Sequence, residues 1–235
     1  MSATESRDAK SMLYGGYIGK LHYIIEQGLD VHAVRNDSHT LNLMTAIINS
    51  INKKHIVSPA DIYERAKQFS VDLYNFKGSV VYAVSPLTFA DIFGTDGYDL
   101  DECIKKIVDF VTHDEKIQLL CVEYIHLLHD ILWFKIEQQE IIDVLPAIDV
   151  LESEVKCSHD EHDIFFAGLW SFVFSKDYVT AYENAAGLKN TNSDICGVAC
   201  TLAGLYYGVD SIPSDWSERV FTTWSETEEE QLPVL

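Results

Sequence analysis

Six residues able to bind a metal or move a proton crowd into seven positions: Cys157, His159, Asp160, Glu161, His162 and Asp163. Thiolate, imidazole and carboxylate are all zinc ligands, but a zinc site needs about four that converge. No second cluster stands at finger spacing, and an apolar Ile164-Phe165-Phe166 run follows. We read the stretch as a polar loop before a helix. His126 and His129 are three apart and would share a helix face. No HExxH pattern surrounds them, so they read as partly buried histidines with hydrogen-bond partners. Cys196 and Cys200 stand one helical turn apart in a stretch rich in Gly and Ala. Cys196 falls near an expected helix N-terminus, a setting that can activate a thiol. The small neighbours favour a packing role for both.

The elements that would carry these residues are helical. Ser58-Pro59-Ala60-Asp61 has the form of a cap, a proline at the first helical position and a return carboxylate, which predicts a helix to about Val71. Asp99 and Glu102 repeat the arrangement before Cys103, Ile104, Ile107, Val108 and Val111, an i, i+3, i+4 stripe that should be buried. Asp114 opens a further helix whose apolar face is Ile117, Leu120, Cys121, Tyr124, Ile125, Leu128 and Leu132. Leu145-Pro146 ends another helical pattern. Ser175 precedes a short helix that stops near Gly187, and Ser193 or Asp194 caps the helix that ends at Gly208. Ser79 to Val84 is rich in valine but has no hairpin partner. The expectation is a single all-α domain over residues 1–224, with at most two short strands, and an acidic tail over 225–235.

Composition narrows the function classes. Lys and Arg total 17 against 37 Asp and Glu, a formal net charge of -20. A field of that sign repels nucleic acid and anionic lipid and attracts basic surfaces. The first ten residues are polar, which predicts no signal peptide. The run from Ile195 to Val209 has 15 residues with three glycines, too short to span a membrane. Five cysteines at irregular spacing predict reduced thiols and a cytoplasmic location.

Three stretches resemble the ADP-ribosylglycohydrolase family. The first is Ala199-Cys200-Thr201-Leu202-Ala203-Gly204-Leu205-Tyr206-Tyr207-Gly208 with Ile212-Pro213 and Trp216 after it. It is similar to the family's small-residue helix, Tyr-Gly and Ile-Pro-x-x-Trp. The second is Gly78-Ser79-Val80-Val81-Tyr82-Ala83-Val84-Ser85-Pro86-Leu87, with Thr112-His113-Asp114 further on. It resembles the family's Gly-rich segment and Thr-His motif, and His113 reads as a helix-start residue. The third is Asn36 to Ser50, similar in position and apolar pattern to the helix that opens with Thr-Asp-Asp-Thr. Tyr14 to Glu26 echoes the N-terminal Gly-Asp-Ala-Leu-Gly segment. The resemblance implies the family's all-α fold. It also implies an activity in which two magnesium ions, held by carboxylates of a Thr-Asp-Asp-Thr and an Asp-Thr-Asp-Thr segment, orient ribose and activate water.

The chain departs from the family at those carboxylates. Anchored on Thr40, the two aspartates fall on Ser38 and His39, with Asp37 in a threonine place. Anchored on Tyr206-Tyr207-Gly208, the other two fall on Thr191 and Ser193, with Asp194 in a threonine place. A one-residue slip puts them on Asn190 and Asn192. Lys20 follows Gly19 where the family has aspartate. Two nearby dications need anionic ligands to offset their repulsion, and neutral Asn, Ser and Thr oxygens do not supply that charge. Asp37 and Asp194 are the weak metal candidates that remain, and each also suits a helix start. The expectation is therefore no cofactor and a pseudoenzyme whose ligand pocket is lined by Asp37, Ser38, His39, Thr40 and Asn190, Thr191, Asn192, Ser193 and Asp194. Its partner would be a basic protein, such as an ADP-ribosyltransferase toxin that it neutralises as an immunity protein, with ADP-ribose or an ADP-ribosylated protein as further ligands. The alternative is an active, magnesium-dependent ADP-ribosylhydrolase with one metal on Asp37, Asp194 and Glu26.

Overall fold

The computed structural model describes residues 9–31, 38–68 and 75–225. They are all-α: the helices are α1 (Ala9–Glu26), α2 (His39–Lys54), α3 (Pro59–Gln68), α4 (Val80–Ala83), α5 (Ala90–Phe93), α6 (Leu100–Val108), α7 (Glu115–His129), α8 (Gln138–Val144), α9 (Glu161–Val173), α10 (Tyr178–Gly187), α11 (Ser193–Tyr207) and α12 (Ser214–Ser225). Among the described residues the only extended pairing is an isolated parallel bridge between Val57 and Thr95. The chain groups into two compact units, one formed by the N-terminal helix with the C-terminal half and the other by the stretch between them.

The first unit is organised by α11. Every residue from Asp194 to Tyr206 is buried, so this helix has no solvent face and lies inside the unit. Helices α1, α9 and α10 pack on it. The α1 contact is close because both surfaces are small. Ser11, Gly15 and Gly19 recur every fourth residue and meet Cys196, Cys200 and Gly204, also every fourth. A Cβ at Gly15 would lie 2.6 Å from the Cys200 carbonyl oxygen and 2.9 Å from Gly204 Cα. The pair runs antiparallel, as its polar ties show. The Val209 amide donates to Ser11 Oγ at 3.1 Å, while the Tyr23 hydroxyl donates to the Thr191 carbonyl at the other end. The buried Tyr178 hydroxyl ties α10 to α1 by donating to the Gly15 carbonyl at 2.7 Å. Helix α12 also packs on α1; its Val220 is buried and its Phe221 stacks on Tyr14.

The second unit is built on α2, whose Leu41, Leu43, Met44, Ile47, Ile48 and Ile51 are buried and which ends at His55 in the left-handed region. Helix α6 follows its sequence pattern. Asp99 caps it by accepting from the Glu102 amide at 2.8 Å. Cys103, Ile104, Ile107 and Val108 are buried, and Val111 beyond them is half-buried. In α7, Asp114 accepts from the Lys116 amide at 2.9 Å. Leu120, Cys121, Tyr124 and Ile125 are buried, with Ile117 half-buried; Leu128 near the end of α7 and Leu132 just beyond it belong to the first unit and are also buried. The helical run Glu115–Phe134 is long and apolar enough to cross a membrane by length and composition, and half of it is buried.

The valine-rich Ser79–Val84 stretch is helical, because Ser79 Oγ accepts from the Tyr82 amide and starts α4. Two local expectations are corrected. Ser58 precedes α3, but its hydroxyl donates to Asp96 at 3.0 Å, and Asp61 pairs with Arg65 at 2.6 Å instead of closing a capping box. The described part of α3 ends at Gln68, and Val71 lies outside the described residues. As expected, Ser175 precedes α10, which Asp177 caps and which stops at Gly187. Helix α11 is capped by Asn192, not Ser193 or Asp194: Asn192 Oδ1 accepts from the Asp194 and Ile195 amides at 3.0 and 3.1 Å.

Candidate functional site

The residues at the start of α11 form a buried charged cluster at positions that the sequence had marked. Asp194 sits in the first turn of α11 and is 7% exposed. Lys20 reaches it from α1. The ammonium Nζ lies 2.5 Å from Asp194 Oδ1 and donates to Ser193 Oγ at 3.1 Å. Lys20 is itself only 3% exposed. Isolated buried charges are very costly, so a lysine so far from water implies an anionic partner held in place. The seam of small residues explains how the two meet. Gly19 lets α1 touch Cys200, and the next residue, Lys20, is then delivered to the N-terminal turn of α11. The sequence marked Lys20 as standing where the resembling family has aspartate, and the structure shows it as the cation that Asp194 holds.

The other marked positions near α11 serve its start. Asn192 is the cap, and its Nδ2 donates to the Ser158 carbonyl at 2.9 Å. Thr191 offers its carbonyl to Tyr23, and Asn190 is exposed with a φ of 63°. In the second unit, Ser38 caps α2 by accepting from the Leu41 amide. His39 Nδ1 accepts from the Lys77 amide at 2.9 Å. Thr40 is fully buried, and its Oγ1 accepts from the Ser79 amide at 2.9 Å. Gly78, at φ 119°, lies against that same hydroxyl, so the glycine of the resembling segment is required both by its backbone angle and by Thr40. Ser38, His39 and Thr40 thus hold the loop at 77–79. Asp37 lies outside the described residues.

Glu26 does not join Asp194. It accepts from the Tyr182 hydroxyl and lies 3.5 Å from His22 Nε2. Among the described residues no group of three or more His, Cys, Asp and Glu side chains is placed to hold a metal ion. In the Cys157–Asp163 stretch, Asp160 caps α9 by accepting from the His162 amide, and Ser158 donates to Asp163. His126 pairs with Asp101 at 2.8 Å and His129 is buried. His113 is exposed and pairs with Asp109 at 2.7 Å. Cys196 and Cys200 are fully buried packing residues. Burial pushes the Cys200 thiol up to about 12, and raises Cys196 well above its ordinary value with Cys200 adding to the effect.

Cys157 is the cysteine with partial exposure, and burial together with the Asp163 charge pushes its thiol up to about 11. Its thiolate fraction at pH 7 is then about a hundredfold below that of a thiol at 9.0. Iodoacetamide alkylation of Cys157, followed by peptide mass spectrometry, should be correspondingly slow and should still accelerate about tenfold per pH unit between about pH 9 and 10, where an ordinary thiol levels off. A plateau near pH 9 would contradict this.

A further group, not evident from the sequence, surrounds His22. This buried imidazole stacks on Trp216 at 4.0 Å with 14° between planes and meets Tyr182 edge-on at 5.1 Å. The one signal in the sequence was the i, i+4 spacing of His22 and Glu26. Comparison with known protein families, with curated proteins and with solved structures finds no match in any of the three.

Proposed function

We propose that this chain works by binding a basic protein partner, with an ADP-ribosyltransferase toxin as the first candidate, on a helical scaffold of the ADP-ribosylglycohydrolase kind, and that it does not hydrolyse ADP-ribose with magnesium. The observation that carries this reading is the buried Lys20–Asp194 pair. The segment in which the resemblance places carboxylate ligands retains Asp194, and that charge is already neutralised by an ammonium from the chain itself. A dication approaching Asp194 would meet a positive charge at contact distance in a poorly screened setting. Ser38, His39 and Thr40, the marked positions with described side chains in the other segment, are engaged with α2 and the loop at 77–79. Calorimetric titration with magnesium is expected to show no pair of micromolar sites. Two such sites would contradict the reading.

The choice of partner rests on charge. The surplus of 20 negative charges favours a basic surface and speeds encounter with it. With a purified ADP-ribosyltransferase toxin as the probe, the association rate should fall steeply as ionic strength rises from about 0.05 to 0.5 M, across which the Debye length shortens severalfold. A salt-insensitive rate, with binding lost only on an apolar change such as Phe134→Ala, would disconnect the acidity from function.

A further inference from the structure

A polar atom buried without a partner is uncommon, and His22 Nδ1 is one. The His22 side chain is 4% exposed, on the face of α1 that meets α12. Trp216 of α12 lies flat against the ring, and Tyr182 of α10 packs edge-on against both aromatics, 5.1 Å from His22 and 4.8 Å from Trp216. Nε2 faces Glu26 at 3.5 Å. As a neutral ring His22 has one N–H for Glu26 and leaves Nδ1 as a bare acceptor, the less costly kind of unpaired atom. A second proton would go onto Nδ1. It would place an N–H donor and a positive charge where there is no acceptor, behind the indole of Trp216.

We propose that His22 is a proton-operated latch: the neutral imidazole holds α12 against α1 through Trp216, and its protonation releases α12. The charged and titratable groups facing the ring are Glu26 on α1, Tyr182 on α10, and Asp215 and Arg219 on α12. Burial holds the imidazole below its ordinary 6.5; Glu26 opposes that shift, Arg219 adds to it, and Asp215 opposes it. At neutral pH the ring is uncharged whether α12 is docked or not, so nothing is lost. Once pH falls below 6.5, the released form takes up a proton that the docked form does not. Docking then weakens about tenfold per pH unit until the docked ring also titrates. Besides the Trp216 contacts, α12 meets α1 through the Phe221–Tyr14 stack, and its Val220 is buried. The latch is independent of the Lys20–Asp194 pair and of the binding reading.

The test is amide hydrogen exchange by mass spectrometry on the full chain at pH 7 and pH 5, corrected for intrinsic rates. In the native protein the protection of α12 amides should fall by more than about twofold from pH 7 to pH 5, while α11 amides stay protected. In His22→Phe, which keeps a flat ring against Trp216 and cannot titrate, α12 protection should change less than about twofold. His22→Gln is the second non-titrating variant, should the phenylalanine variant fail to fold. Unchanged α12 protection in the native protein would overturn the latch. So would loss of protection in all helices together, or an equal loss in the folded non-titrating variant.

Discussion

Replacing Lys20 by methionine should destabilise the protein by about 3–5 kcal/mol, because it leaves the Asp194 carboxylate charged and buried with its cation gone. Lys20 Nζ and Asp194 Oδ1 are 2.5 Å apart, with side-chain exposures of 3% and 11%. Asp194→Leu alone should cost a similar amount by stranding the ammonium. The double variant should recover most of the loss, since two apolar groups of similar size can replace a buried pair with little penalty. Urea unfolding of the four proteins measures the coupling as a double-mutant cycle. Single losses below about 1 kcal/mol, the range of an exposed pair, would show that the pair is solvated and that no cation seat is filled by Lys20.

The second large effect belongs to the small-residue seam. Gly15→Ala places a Cβ 2.6 Å from the Cys200 carbonyl oxygen and 2.9 Å from Gly204 Cα. Both obstacles are backbone, so α1 and α11 must move apart for the methyl group to fit. That should cost about 3 kcal/mol, the upper end of the usual range for overpacking. Gly204→Ala meets the Ser11 carbonyl oxygen and should behave alike. Gly187 is the control. It ends α10, and a methyl group added there would meet nothing within 4 Å, so Gly187→Ala should leave stability within about 1 kcal/mol of the native value. Equal midpoints of thermal unfolding for the Gly15 and Gly187 variants would mean that the helix contact is looser than described.

What the sequence made legible follows from how local each cause is. The starts of α6 and α7 and the buried stripes behind them came from capping carboxylates and i, i+3, i+4 spacing, both fixed within a few residues. The packing role of Cys196 and Cys200 followed from their small neighbours. The start of α11 was ambiguous because Asn192, Ser193 and Asp194 are all good capping residues. The choice fell to Asn192, whose amide also reaches the Ser158 carbonyl, a long-range contact. Ser79–Val84 carries a β-prone composition, yet it is helical because its valines are buried and Ser79 caps the turn. The candidate site shows the same limit. Lys20 was visible as a misplaced charge, but its partner lies 174 positions away, and no spacing rule joins the two. His22 was a single histidine in an apolar helix, and only the folded chain brings Trp216 onto its ring.

If Asp194 is held by Lys20 instead of a metal, the chain should have no hydrolytic turnover to lose. The most direct measurement is release of ADP-ribose from arginine-linked and serine-linked substrates by the purified protein in excess magnesium. No release above the rate without protein is expected. Turnover that depends on magnesium and disappears in Asp194→Ala, with that variant still folded, would contradict it.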